Sequence, residues 1–230
     1  MLAALNTDRY PYFDLSEIIP EPDILTTPYR SVKPIKAGSI LPDFTLQKEN
    51  SRWQQFFNGS EIHGPVLLNQ LLNKPLVIGF YSSQWQTYGI ELLKQLNAIQ
   101  PEIKAQGGNL LIISAEKEHK LEMVAWEHSL SLNFYFDTKK EIAGKFRIYA
   151  EHDPIWNKFS GIDTNVPLLA AYVIGQSGQI EYDYVEQDFR DTFPAKDVVS
   201  AIRRVSSQDN KARNISGSSW LESQAGLRGH

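Results

Sequence analysis

The chain has 230 residues, 42% of them hydrophobic and 22% charged, and its 23 basic against 27 acidic side chains leave a formal net charge of −4. This is the composition of one large folded domain with extensions, and it offers no overall attraction to a nucleic acid backbone. The absence of any cysteine excludes disulfides, thiolate metal sites and every mechanism in which a cysteine sulfur is attacked or oxidised.

Residues 1–36 read as an N-terminal arm, rich in proline, with scattered aromatics (Tyr10, Tyr12, Phe13) and no sustained period. Their start, MLAALNTDRYPYF, lacks the basic residues and long apolar run of a secretory signal. A folded domain is expected over 37–206. SILPDFTLQ alternates as a short strand does, and GPVLLNQLLNKP reads as a turn of helix feeding the buried strand LVIGFY, Leu76–Tyr81. That strand is the longest apolar stretch and far too short to cross a bilayer, so the sequence predicts a soluble, cytoplasmic protein with no membrane partner. An amphipathic helix follows, with Leu92, Leu96, Ile99 and Ile103 on one face and a stop near QGG.

The strand NLLIIS (Asn109–Ser114), the helix KEHKLEMVAWEHSL, the strand NFYFD and the helical stretch KKEIAGKFRIY continue the alternation, which predicts parallel β-α-β units. The pattern then changes. AAYVIGQSGQIEYDYVE reads as an antiparallel hairpin turning at Ser177-Gly178. FPAKDVVSAIRRV closes the domain as a helix begun by Thr192 or Phe193 before Pro194, with Val198, Val199, Ile202 and Val205 facing inward. Residues 207–230 are polar, periodless and rich in Ser and Gly, a disordered tail that in part reads as an expression remnant.

This order of elements is that of a thioredoxin-like α/β fold, a central mixed sheet with helices on both faces. At ILPDFTL, FYSSQWQTYGIELLKQL, NLLIISAEKE, FYFDTKKEIAGKF and VPLLAAYVIGQSGQI the chain resembles the peroxiredoxin-like branch of the alkyl hydroperoxide reductase/thiol-specific antioxidant (AhpC/TSA) family. In that family the turn after the first core strand reads Trp-Cys-Pro-Tyr-Cys; here the matching residues are Trp85, Gln86, Thr87, Tyr88 and Gly89. The resemblance therefore puts Gln86 at the peroxidatic position and Gly89 at the second cysteine. A thiolate at a helix N-terminus is held ionised by the helix dipole and attacks the O–O bond, whereas a glutamine amide does not ionise near neutral pH. The proline or arginine that faces this turn in relatives is Leu169, which implies a more apolar cleft, and Gly175 replaces the acidic residue common at the end of that strand.

The function expected from these departures is that of a cysteine-free, catalytically inactive peroxiredoxin-like protein retained for binding or assembly. Its degenerate active-site positions are Trp85, Gln86, Thr87, Tyr88, Gly89 and Leu169, with no catalytic residue, cofactor or metal implied. Family relatives often dimerise, so the resemblance implies a homodimer, and the cleft is expected to take a protein or a small polar ligand. The alternative is an enzyme working without cysteine in the same cleft. It needs a base, His63, His119, His128 or His152, brought by the fold to Ser82 or Thr87.

Against that alternative stands the simpler reading of Ser82, Ser83 and Thr87 as helix-capping residues, and of Trp85 and Tyr88 as packing. His119 and His128, nine apart on one helix, match no recognised ligand spacing, and Glu116, Glu118 and Glu122 read as a solvated face. His152-Asp153 reads as surface. RWQQFF (Trp53, Phe56, Phe57) and DPIWNKF (Trp156, Phe159) read as aromatic loops, packed on the domain or available to a partner. Arg203, Arg204, Lys211 and Arg213 read as a solvated helix end and tail.

Overall fold

The structure, a computed structural model, describes residues 31–46, 56–57, 60–61, 66–116, 118–190 and 192–208. The chain divides into Met1–Ser31 and Val32–His230, and the strands and helices described belong to the second of these units. Most of the expected arm, nearly all of the expected tail, Trp53, His63, Lys211 and Arg213 lie outside the described residues.

Two short antiparallel ladders precede the main sheet. β1 (Thr45–Leu46) pairs with β4 (Val66–Leu67), and β2 (Phe56–Phe57) pairs with β3 (Ser60–Glu61), so the stretch read as an aromatic loop contains a strand. A single helical turn, α1 (Leu68–Leu71), leads into β5 (Leu76–Tyr81). The alternation then runs α2 (Gln86–Ala105), β6 (Asn109–Ser114), α3 (Glu118–Glu127), β7 (Phe134–Phe136) and α4 (Glu141–Lys145). The hairpin β8 (Ala170–Ile174) and β9 (Ile180–Val185) turns through Gly178, whose φ of +81° suits glycine, and a last helix, α5, covers 195–208.

The five-stranded sheet has the order β7-β6-β5-β8-β9, with β5 parallel to β6, β6 parallel to β7, and the hairpin antiparallel beside β5. This is the expected mixed α/β sheet. β5, β6 and β8 are buried at every position, which is why their sequences are continuous apolar runs rather than alternating ones.

One face of the sheet receives α2. A Cβ at Gly79 would stand 2.7 Å from Leu96 Cδ1 and 2.9 Å from Ile112 Cδ1, so glycine there permits the close approach of helix to strand. At the end of α2 the chain passes Gly108, whose added Cβ would lie 3.0 Å from Ile202 of α5. All four residues expected to face inward on α5, Val198, Val199, Ile202 and Val205, are buried. α3 leaves Trp126 almost fully exposed, at 89%. Among the described residues no helix is long and apolar enough to cross a membrane.

The next residue of β5, Phe80, points to the other face, where its ring meets Phe146 at 4.9 Å and Tyr172 at 6.2 Å between centroids. Tyr172 is fully buried, yet its hydroxyl finds no hydrogen-bond partner among the described residues. An unpaired buried hydroxyl carries a desolvation penalty of about 1–3 kcal/mol. Tyr172→Phe is therefore expected to raise the unfolding free energy by about 1 kcal/mol, measured by urea denaturation. A loss of stability would mean that the hydroxyl is bonded after all.

Candidate functional site

β5 and β6 run parallel, so their carboxyl ends open together at one edge of the sheet, the place where open α/β sheets usually hold ligands. Ser82, the residue after β5, is fully buried. Its Oγ accepts a hydrogen bond from Gln84 N at 3.3 Å, capping a 3-10 turn over Ser83–Trp85, and donates one to Glu116 Oε1 at 2.9 Å. Ser83 N donates to the same carboxylate oxygen at 2.9 Å. Glu116 lies two residues beyond β6, its backbone N bonded to Ser114 Oγ at 3.2 Å and Lys120 Nζ 3.9 Å from Oε2.

Glu116 was expected on a solvated helix face, but its side chain is only 10% exposed. The difference arises because it precedes α3 and so belongs to the strand-end edge, where it ties the turn after β5 to the turn after β6. Burial, with a smaller push from the Glu116 carboxylate, raises the Tyr81 phenol to about 12. The Ser82 hydroxyl is thus committed to a carboxylate and closed to solvent, so it has no face from which to attack a substrate.

Gln86 joins the 3-10 turn to α2. Its N–H bonds Ser83 O, and its backbone has φ +48° and ψ −124°, a conformation that favours glycine at the first central position of a type II′ turn. The side chain is exposed. Three residues on, Gly89 is buried, and a Cβ there would meet the Tyr81 ring at 2.9 Å and Ser82 O at 3.1 Å. The first turn of α2 therefore lies against the end of β5 with no space for a side chain at position 89.

Trp85 is buried, with Nε1 donating to Pro167 O at 2.8 Å. Its ring stands edge-on to Phe159 at 5.3 Å and tilted against Phe189 at 5.2 Å, while the half-exposed Tyr88 packs on Phe189 at 4.3 Å. Sequence reasoning missed Phe189 altogether. It sits in the loop after β9 with φ +57°, and that loop is organised by Glu186. Glu186 Oε1 accepts from Gln187 N (3.0 Å), Asp188 N (3.2 Å) and Phe189 N (2.7 Å), and Oε2 from the Tyr184 hydroxyl. The signal available in sequence was slight: one acidic residue followed by QDF without a period.

Gln84, Gln86 and Thr87 line a cleft of about 500 Å³ that also contains Ser160, Gln187 and Asp188, with the aromatic cluster as its wall. The lining is mainly polar, against the expectation of an apolar cleft. The reason is that Leu169, buried just before β8, is not among its lining residues and borders a second cavity of about 290 Å³. Among the described residues no histidine lines either cavity. His152 is exposed as expected, but Asp153 is buried, pairing with Lys158 Nζ at 2.7 Å and accepting from Val32 N at 2.7 Å. Among the described residues no group of three His, Cys, Asp or Glu is placed to hold a metal ion.

Comparison with known proteins bears on the family and the fold. A model of the AhpC/TSA family matches residues 37–183. No curated protein sequence matches the chain. Among solved structures it is similar to the peroxidoxin BcpB of Mycobacterium tuberculosis, at 16% identity and TM-score 0.55 over 74% of this chain and 98% of that one. It is also similar to the AhpC of Enterococcus faecalis (13%, TM-score 0.55, 77% and 94%) and to the mitochondrial 2-Cys peroxiredoxin from Plasmodium falciparum (16%, TM-score 0.52, 76% and 97%). At such identities the likeness concerns the fold, which is thioredoxin-like.

Proposed function

This chain belongs to the AhpC/TSA family, and we propose that within it the protein is a catalytically silent member whose degenerate active site serves recognition. The observation that carries this reading is that the 230 residues contain no cysteine, while the residue at the mouth of α2 that the resemblance sets at the reactive position is an exposed glutamine, whose amide does not ionise as a thiol does. Three further features support it. Gly89 has no space for a second thiol side chain, the Ser82 hydroxyl is locked onto Glu116, and neither cavity carries a histidine base for Thr87 among the described residues. What is left is a pre-formed polar cleft with aromatic walls, of the size that binds small molecules or peptide segments.

Gln86→Cys tests the reading. A thiolate placed there gains the end of the α2 dipole but no free cation, because the cleft's lysine, Lys158, is already paired with Asp153. The variant is expected to react with hydrogen peroxide no faster than glutathione does under the same conditions, followed by loss of titratable thiol. Rapid turnover sustained by thioredoxin would show that a catalytic cleft is intact around an absent sulfur, and would overturn the reading.

A further inference from the structure

The two cavities share Tyr88 and Phe189 and no other described residue, so a single pair of packed rings, 4.3 Å between centroids, is the divide between them. Their chemistry differs. The first is polar, and its two ionic lining residues are both paired: Lys158 is bonded to Asp153 at 2.7 Å, and Asp188 lies 3.4 Å from Arg190 Nε. Three glutamines, Gln84, Gln86 and Gln187, offer it carboxamides, each a donor and an acceptor at once. The second cavity has an apolar floor, with Leu92, Leu169 and Phe193 all buried.

A phosphate, a nucleotide or a free carboxylate calls for a sheltered, unpaired cation: Lys158 is bonded to Asp153, and Arg190, which borders the second cavity, is 84% exposed and lies against Asp188. A sugar matches the carboxamides and leaves the apolar floor unused. An extended peptide matches both. Its backbone amides are themselves paired donors and acceptors, and its side chains i and i+2 fall on the same side about 7 Å apart, close enough to enter neighbouring cavities across one ring pair. We propose that the two cavities form one bipartite site for an extended peptide, with a neutral polar side chain in the Gln86 cleft, an apolar side chain over Leu169, and the backbone crossing the Tyr88–Phe189 rim. This rests on the reading of the degenerate active site as a recognition site and names its ligand class.

The loop that carries Phe189 suits the role of an adjustable wall. A bulky residue at φ +57° is an unfavoured backbone state, retained here by the three N–H bonds onto the Glu186 carboxylate.

The test is an array of N-acetylated, C-amidated hexapeptides with each position scanned in turn, probed with the full chain. Fluorescence anisotropy of the selected peptides then gives their dissociation constants. The expected result is selection of a large apolar residue at one position and Ser, Asn or Gln two positions away. Affinity should fall about tenfold or more for Tyr88→Ala, whose half-exposed ring can be removed without opening the core. Phe189→Ala should relax the apolar preference, and Trp126→Ala, which borders neither cavity, should change nothing. A flat array overturns the peptide assignment while leaving catalytic silence standing, since that is decided by peroxide turnover. Selected peptides that bind Tyr88→Ala as well as the native chain overturn the assignment too.

Discussion

Trp85→Ala is expected to lower the unfolding free energy by about 3–5 kcal/mol, the usual range for deleting a buried aromatic side chain. Three losses combine. The indole is only 3% exposed, its contacts with Phe159 and Phe189 vanish, and Pro167 O loses the N–H bonded to it at 2.8 Å. Trp85→Phe separates these: it keeps most of the packing and leaves the carbonyl unpaired, for a cost of about 1–2 kcal/mol. Urea melts of both variants check the account. Equal, small losses would mean that Trp85 is a ligand-contacting wall with little structural role, and that the cluster behind the cleft packs without it.

Glu116→Ala is the second large effect, expected at about 2–4 kcal/mol because two donors lose a charged acceptor together. Ser82 is fully buried and its hydroxyl has no water to turn to, while Ser83 N bonds the same oxygen. Ser82→Ala alone should cost less, since Glu116 keeps its bond from Ser83 N. In the double variant the losses should fall short of their sum, because the two residues share one bond. Additive losses would show that the Ser82–Glu116 bond contributes nothing in solution. The same cycle bears on function, since a hydroxyl that stabilises the fold through a carboxylate is not one held ready for attack.

Most of the fold was legible because it depends on patterns local in sequence. LVIGFY and NLLIIS are apolar at nearly every position since both faces of the sheet are covered, and Leu92, Leu96, Ile99 and Ile103 mark the buried stripe of α2. The site was legible only in its central turn. Trp85 meets a carbonyl 82 residues away, Ser82 a carboxylate 34 residues away, and Phe189 joins the cluster from a loop with no periodic signal. Glu116 was misread by assigning it to the helix that follows rather than to the strand that precedes it, and Asp153 because an acidic residue in a loop gives no sign of being buried. The family resemblance sets Leu169 opposite the turn, yet it lines the neighbouring cavity, which has Tyr88 and Phe189 in common with the Gln86 cleft.

Gln86 and Gly89 also set the shape of the turn after β5. The strained backbone of Gln86 and the contact of Gly89 with Tyr81 and Ser82 show a turn settled around its present residues, with α2 seated closer to β5 than a side chain at position 89 permits. That is the local basis for reading the site as redirected toward binding.

The most direct measurement is hydrogen peroxide consumption by the native chain, purified free of thiol proteins and supplied with thioredoxin or dithiothreitol. A rate equal to that of buffer with the same reductant is predicted, because nothing at the mouth of α2 can accept an oxygen atom and return it as water. Rapid removal of at least one equivalent of peroxide per chain, repeated on each addition, would contradict it.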